Sequence, residues 1–164
     1  MKSIRSSAVV FSMLLLAFSM APAVASAQSN PNKPAWKVLH FFERSEGDLA
    51  YIDTGAPGPS IGDRLVFSAA IFDTDGQRIG RDGADCVIVR IDPTEPPARQ
   101  QVVQCTISVQ LPDGQITVQG LGQGTENYFA ITGGTGAYRE ARGEVLARDI
   151  TPLVEAEITV WLYR

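Results

Sequence analysis

The chain has 164 residues, with 14 basic and 18 acidic side chains, a formal charge of −4, two Cys and one His. That length is one domain, and the acidic balance argues against nucleic acid or an anionic membrane as a partner. A single histidine, His40, excludes a multi-His metal site.

In chain order, Lys2 and Arg5 give a basic start, an apolar stretch runs over 8–21, and Ala25-Ser26-Ala27 follows. This pattern predicts a secretory signal peptide cut after Ala27, and so a secreted or periplasmic protein. The apolar stretch is too short for a transmembrane helix. Its removal takes away two basic residues, leaving 12 basic against 18 acidic. Residues 28–35 read as a flexible leader, rich in Asn, Pro, Lys and Ser, and residues 36–164 as the folded domain.

Beyond the leader the hydrophobic period is two. Strands are predicted over 36–42, 65–72, 86–91, 102–111, 116–121, 128–131, 144–150 and 154–163. The turn signals between them are Asp75-Gly76, Asp82-Gly83, Pro96-Pro97, Asp113-Gly114, Gly133-Gly134 and Pro152. No window carries a helical stripe. Eight short strands joined by tight turns predict an all-β fold, either an antiparallel barrel or a sandwich. Around Ile107-Val109-Leu111 one face is apolar and the other polar, whereas Val87-Ile88-Val89 is apolar on both faces. That contrast favours a small barrel, lined inside and locally covered outside. Residues 47–63, with four Gly and two Pro, read as a loop across one barrel mouth, where a lid would sit.

Two Cys in an exported protein pair more often than not. If 92–99 is a hairpin loop, Ile91 faces Gln100, Val89 faces Val102 and Cys86 faces Cys105. Both sulfurs then fall on one face of adjacent strands, close enough for a disulfide. His40 alternates with Val38 and Phe42, a row that can face the lumen, where His40 would be a hydrogen-bonded barrel histidine or a ligand contact. Tyr128, Tyr138, Trp36 and Trp161 read as core or rim aromatics. The glycine run Gly133-Gly134-Thr135-Gly136 is a poor phosphate loop, since a strand follows it and it lacks Lys. It reads as a tight connection in which glycine supplies positive φ.

The segment Ile131-Thr132-Gly133-Gly134-Thr135-Gly136-Ala137-Tyr138, with Ala141-Arg142-Gly143 after it, resembles the signature shared by plant dirigent proteins and allene oxide cyclases. Gly62-Asp63-Arg64-Leu65-Val66-Phe67, Ala84-Asp85-Cys86-Val87-Ile88-Val89 and Ile116-Thr117-Val118-Gln119-Gly120 are similar to strands of that family, in the same order. The resemblance implies an eight-stranded antiparallel barrel with a hydrophobic lumen that needs no metal or organic cofactor. It further implies an isomerase or cyclase that confines a hydrophobic small molecule and directs stereoselective cyclisation. In allene oxide cyclases a Glu near the end of the first strand assists charge separation, and Glu43 takes that place. Phe42, Phe67, Phe72 and Val87, with His40 and Tyr128, are then expected to shape the substrate site. Two other readings stay open: a non-catalytic carrier of an apolar ligand, and a dirigent-type guide of radical coupling. The family also implies a homo-oligomer, a dimer or trimer built through outer barrel faces.

Overall fold

A computed structural model describes residues 35–163. The expected signal peptide, with its cut after Ala27, and residues 28–34 of the leader lie outside the described residues. Eight antiparallel strands follow in order: β1 (Lys37–Ile52), β2 (Arg64–Phe72), β3 (Arg78–Ile91), β4 (Gln101–Leu111), β5 (Gly114–Gly122), β6 (Glu126–Gly134), β7 (Arg142–Thr151) and β8 (Glu155–Tyr163). Each pairs with the next, and β8 returns to β1, so the sheet closes into a barrel. The sandwich is thereby excluded. Closure leaves no long edge strand to template aggregation.

The period-two pattern places one row of each strand inside: Leu39 and Phe41 on β1, Ile107 and Val109 on β4, Val145 on β7, Ile158 and Val160 on β8. One end of the barrel is plugged by Leu111, Ile116, Tyr138 and Leu162, all buried. Tyr138 belongs to a 3-10 turn (Gly136–Tyr138) that follows the glycine run. Gly136 sits at φ 58°, and a Cβ there would meet the Asp113 carbonyl oxygen at 2.3 Å. A Cβ on Gly134 would come within 2.5 Å of the Gln115 carbonyl oxygen. These two positions require glycine to seal the floor. Gly133 does not, its nearest neighbour being the Thr117 hydroxyl at 3.6 Å.

The expected turn at Asp82-Gly83 is instead the middle of β3, which pairs with β2 and β4 on either side. Local hairpin chemistry yields to a long strand between two neighbours. The loop expected over 47–63 is shorter. After a bulge between Ser45 and Leu49, residues 49–52 pair with β2 from Leu49↔Phe67 to Ile52↔Arg64. What remains, 53–63, is tied down by the buried carboxylate of Asp63. That group accepts from the backbone N–H of Thr54 (2.9 Å) and Ser60 (2.7 Å) and from the Tyr51 hydroxyl. Five side-chain and backbone donors in all hold it well below the usual carboxylate range. A loop so pinned is an anchored corner rather than a lid.

Cys86 and Cys105 are joined in a disulfide, and they stand directly opposite each other in the β3–β4 register. A bulge at Val89 then moves the next pairs by one, so Ile91 faces Gln101 instead of Gln100, and Arg90 takes the place of Val89 opposite Val102. The bond closes a loop of 19 residues in sequence separation. Its reduction is expected to lower unfolding free energy by about 3 kcal/mol, measured by denaturant titration with and without reductant.

Candidate active site in the barrel lumen

Above the sealed floor the interior is an apolar cylinder of Phe41, Ile107, Val109, Ile116, Val118, Phe129, Val145, Ile158 and Val160. Two acids interrupt it. Glu43 follows Leu39 and Phe41 on the inward row of β1, and Asp82 leads Ala84, Cys86 and Ile88 on the inward row of β3. Higher up, the space widens into a cavity of about 390 Å³ lined by Glu43, Phe67, Phe129, Asp149 and both disulfide cysteines. Its rim is formed by Pro97 and Ala98 before β4, Gln123 and Gly124 before β6, and Leu153 before β8. A second opening lies where β1, beyond its bulge, parts from β8. Ser45, Leu49, Asp149, Val154 and Glu155 line it, and it leads to the same Glu43.

Asp82 is 6% exposed and accepts a 2.8 Å hydrogen bond from the Ala69 backbone N–H. Its side chain also shares a hydrogen bond with Glu43. Burial raises the Glu43 carboxyl to about 8, and the neighbouring charges of Asp82 and Asp149 add to that effect. Burial raises Asp82 too, to about 6, while the bonds from Glu43 and Ala69 pull the other way. Asp149 is likewise raised by burial. The two deep carboxyls therefore behave as one unit: burial and their mutual repulsion disfavour ionising both, so at neutral pH the pair holds a proton between them. The unit offers a hydrogen-bond donor and a base in one largely apolar space, the set needed to polarise an oxygen or accept a proton. Among the described residues no cluster of three or more His, Cys, Asp and Glu is arranged to hold a metal ion.

Of the residues expected to shape the site, the structure brings together Glu43 and Phe67. The other five do not line the lumen. His40 and Phe42 alternate with Leu39, Phe41 and Glu43, so they point outward. His40 contacts Glu157 at 2.9 Å and packs edge-on against Phe42. Phe72 lies outside opposite Phe42, beneath the guanidinium of Arg44. Val87 alternates with the inward Cys86 and Ile88, and Tyr128 is 58% exposed beside the inward Phe129. Adjacent residues of a strand cannot share a face, so placing both Phe42 and Glu43 inside was geometrically inconsistent. Asp82 and Asp149 were missed by the sequence reading. Their signal was parity, with Ala84, Cys86 and Ile88 for one, and Val145 and Ala147 for the other.

Residues 45–162 match the family model described as "Allene oxide cyclase barrel like domain". The chain belongs to that family. Asp82 and Asp149 fall within the matched span of this allene oxide cyclase barrel-like protein, and Glu43 stands just ahead of it. Its sequence matches no curated protein significantly. Among solved structures it is similar to one named "Pyocyanin demethylase", with 26% identity, a TM-score of 0.67, and coverage of 77% of this chain and 99% of that one. It is also similar to AbnU, an exo-specific intermolecular Diels-Alderase (16% identity, TM-score 0.63, 78% and 98% covered). A third is the pterocarpan synthase dirigent protein GePTS1 (17% identity, TM-score 0.57, 78% and 85% covered). The shared barrel is the one on which cyclases and dirigent proteins are built.

A carboxyl whose pKa rises on folding binds more protons in the folded than in the unfolded state between the two values. Stability contributed by Glu43 is therefore full below about 4.5 and is lost as pH rises toward about 8. Urea unfolding across that window is expected to show falling stability in the parent protein and a much flatter profile in Glu43→Gln.

Proposed function

We propose that the barrel is a cofactor-free isomerase or cyclase that holds a small, mainly apolar molecule in its lumen and sets the stereochemistry of ring closure. The observation that carries this reading is the hydrogen-bonded Glu43–Asp82 pair, set among hydrophobic side chains at the base of the cavity. The walls supply confinement, expelling water and restricting the ligand to folded conformers. On binding, Glu43 turns its single O–H from Asp82 to an oxygen or nitrogen of the ligand on which negative charge builds. Asp82, as the carboxylate, faces developing positive charge or takes a proton. In this reading Glu43 assists charge separation as the donor, and its partner carries the negative charge. A carrier has no need of two carboxyls in an apolar lumen, where each costs desolvation. The disulfide is consistent with an extracellular or periplasmic protein. Export by a signal peptide cut after Ala27 is part of the proposal.

The test presents the full chain with small molecules that close rings spontaneously, an allene oxide generated in situ and a tethered diene–dienophile. Each is supplied neutral and with a quaternary ammonium group, and products are resolved on a chiral column. Enantiomeric excess is expected, with Glu43→Gln lowering the catalysed rate by about a hundredfold while circular dichroism stays unchanged. Racemic product from every substrate, with ligand still bound, favours the carrier. A second reading, demethylation, is favoured by the identity and coverage of the barrel named for that activity. Loss of the methyl group from added pyocyanin would select it.

A further inference from the structure

Charge in this barrel is sorted by face. The charged residues lining the lumen and its two openings are Glu43, Asp82, Asp149 and Glu155, all acidic. No arginine lines the lumen, and six are matched with acids elsewhere: Arg44 with Glu155, Arg64 with Asp85, Arg78 with Glu46, Arg90 with Asp92, Arg99 with Glu95, and Arg148 with Glu126 and Glu157. Arg81 bonds Gln110 at 2.9 Å. Of the four lumen acids, Glu155 is thus neutralised from outside, while the deep pair and Asp149 have no basic partner. Asp149 makes no side-chain hydrogen bond or ion pair among the described residues. A carboxylate desolvated without a counter-ion carries a cost that the hydrogen bonds to Asp82 offset only in part.

A second feature shares the space. Phe67 and Phe129 line the same cavity as Glu43 and Asp149, and Phe41 lies below with Asp82. Aromatic rings around a buried carboxylate form a receptor for a soft organic cation, which gains from the ring quadrupoles and from the charge while its carbon skeleton meets the apolar wall. A hydrated metal ion finds too few oxygen ligands in such a wall, and a fatty-acid carboxylate would meet Asp149 at the mouth. We propose that the substrate class of this site is an apolar small molecule bearing a protonated or quaternary nitrogen. The inference rests on the lumen being the binding site, as in the function proposed above. The cavity of about 390 Å³ accommodates a fused two-ring cation and is within the range of small-molecule sites.

The experiment compares two probes of the same shape on the full chain, N-methylquinolinium and uncharged methylnaphthalene, by calorimetric titration at neutral pH. The cation is expected to bind about tenfold more tightly. That preference should vanish in the double variant Glu43→Gln/Asp82→Asn. Asp149→Asn, at the mouth and outside the deep pair, should lower it two- to threefold, which keeps the test decisive if the double variant fails to fold. Equal or tighter binding of the uncharged probe overturns the inference and leaves the lumen as the ligand site. Binding of neither probe overturns both. A cation preference that survives the charge-removing variants places the cation elsewhere on the acidic surface, and so also overturns the inference.

Discussion

Two carboxyl groups brought into hydrogen-bond contact inside an apolar cylinder resist being ionised together at neutral pH, and much of this barrel is organised by that constraint. The floor below the pair is sealed by Tyr138 and Leu162, and the walls around it are branched aliphatic and aromatic side chains that offer it no polar partner. Arginine would relieve the constraint, yet no arginine lines the lumen. A shared proton is what remains, and it makes one residue a donor and its partner a base without any added group. The pair sits at the narrow base of the cavity, so a ligand reaching it is already enclosed by Phe67, Phe129 and the rim loops.

The remaining features follow from holding such a pair rigidly. Continuous pairing around the barrel fixes the spacing of β1 and β3, the two strands that carry the acids, through the β2 strand between them. Asp82 is held from β2 by the Ala69 backbone N–H, so it cannot swing away from Glu43. The disulfide links β3 to β4 within the cavity wall, just above Asp82 on the same inward row. The bulge in β1 lies directly after Glu43 and Arg44. It turns the upper half of the strand away from β8 and opens the second route to the acid.

The architecture was legible because a barrel of this kind repeats one local rule, alternation closed by a turn, and because the glycine run and the cysteine spacing admit few structures. The existence of all eight strands and the pairing of Cys86 with Cys105 followed from that rule. The facing of individual side chains did not. On β1 both rows are apolar, Leu39 and Phe41 inside and Val38 and Phe42 outside, so hydrophobicity alone leaves the parity undetermined. The outer row is covered locally by aromatic and cationic contacts among His40, Phe42, Arg44 and Phe72. Asp82 was hidden for a different reason. Asp-Gly is a strong hairpin signal, and only the pairing of β3 on both sides shows that here it is mid-strand. A buried acid in a strand breaks the local pattern, which is how functional positions often differ from structural ones.

The central claim is that the Glu43–Asp82 pair holds a proton at neutral pH inside the lumen. Infrared spectroscopy of the protein tests it directly, since a protonated carboxyl has a carbonyl stretch separate from that of a carboxylate. The account predicts such a band at pH 7 that disappears in Glu43→Gln and fades in the parent protein as pH is raised past about 8. A spectrum with no protonated carboxyl at pH 7, or one unchanged by the substitution, would contradict it.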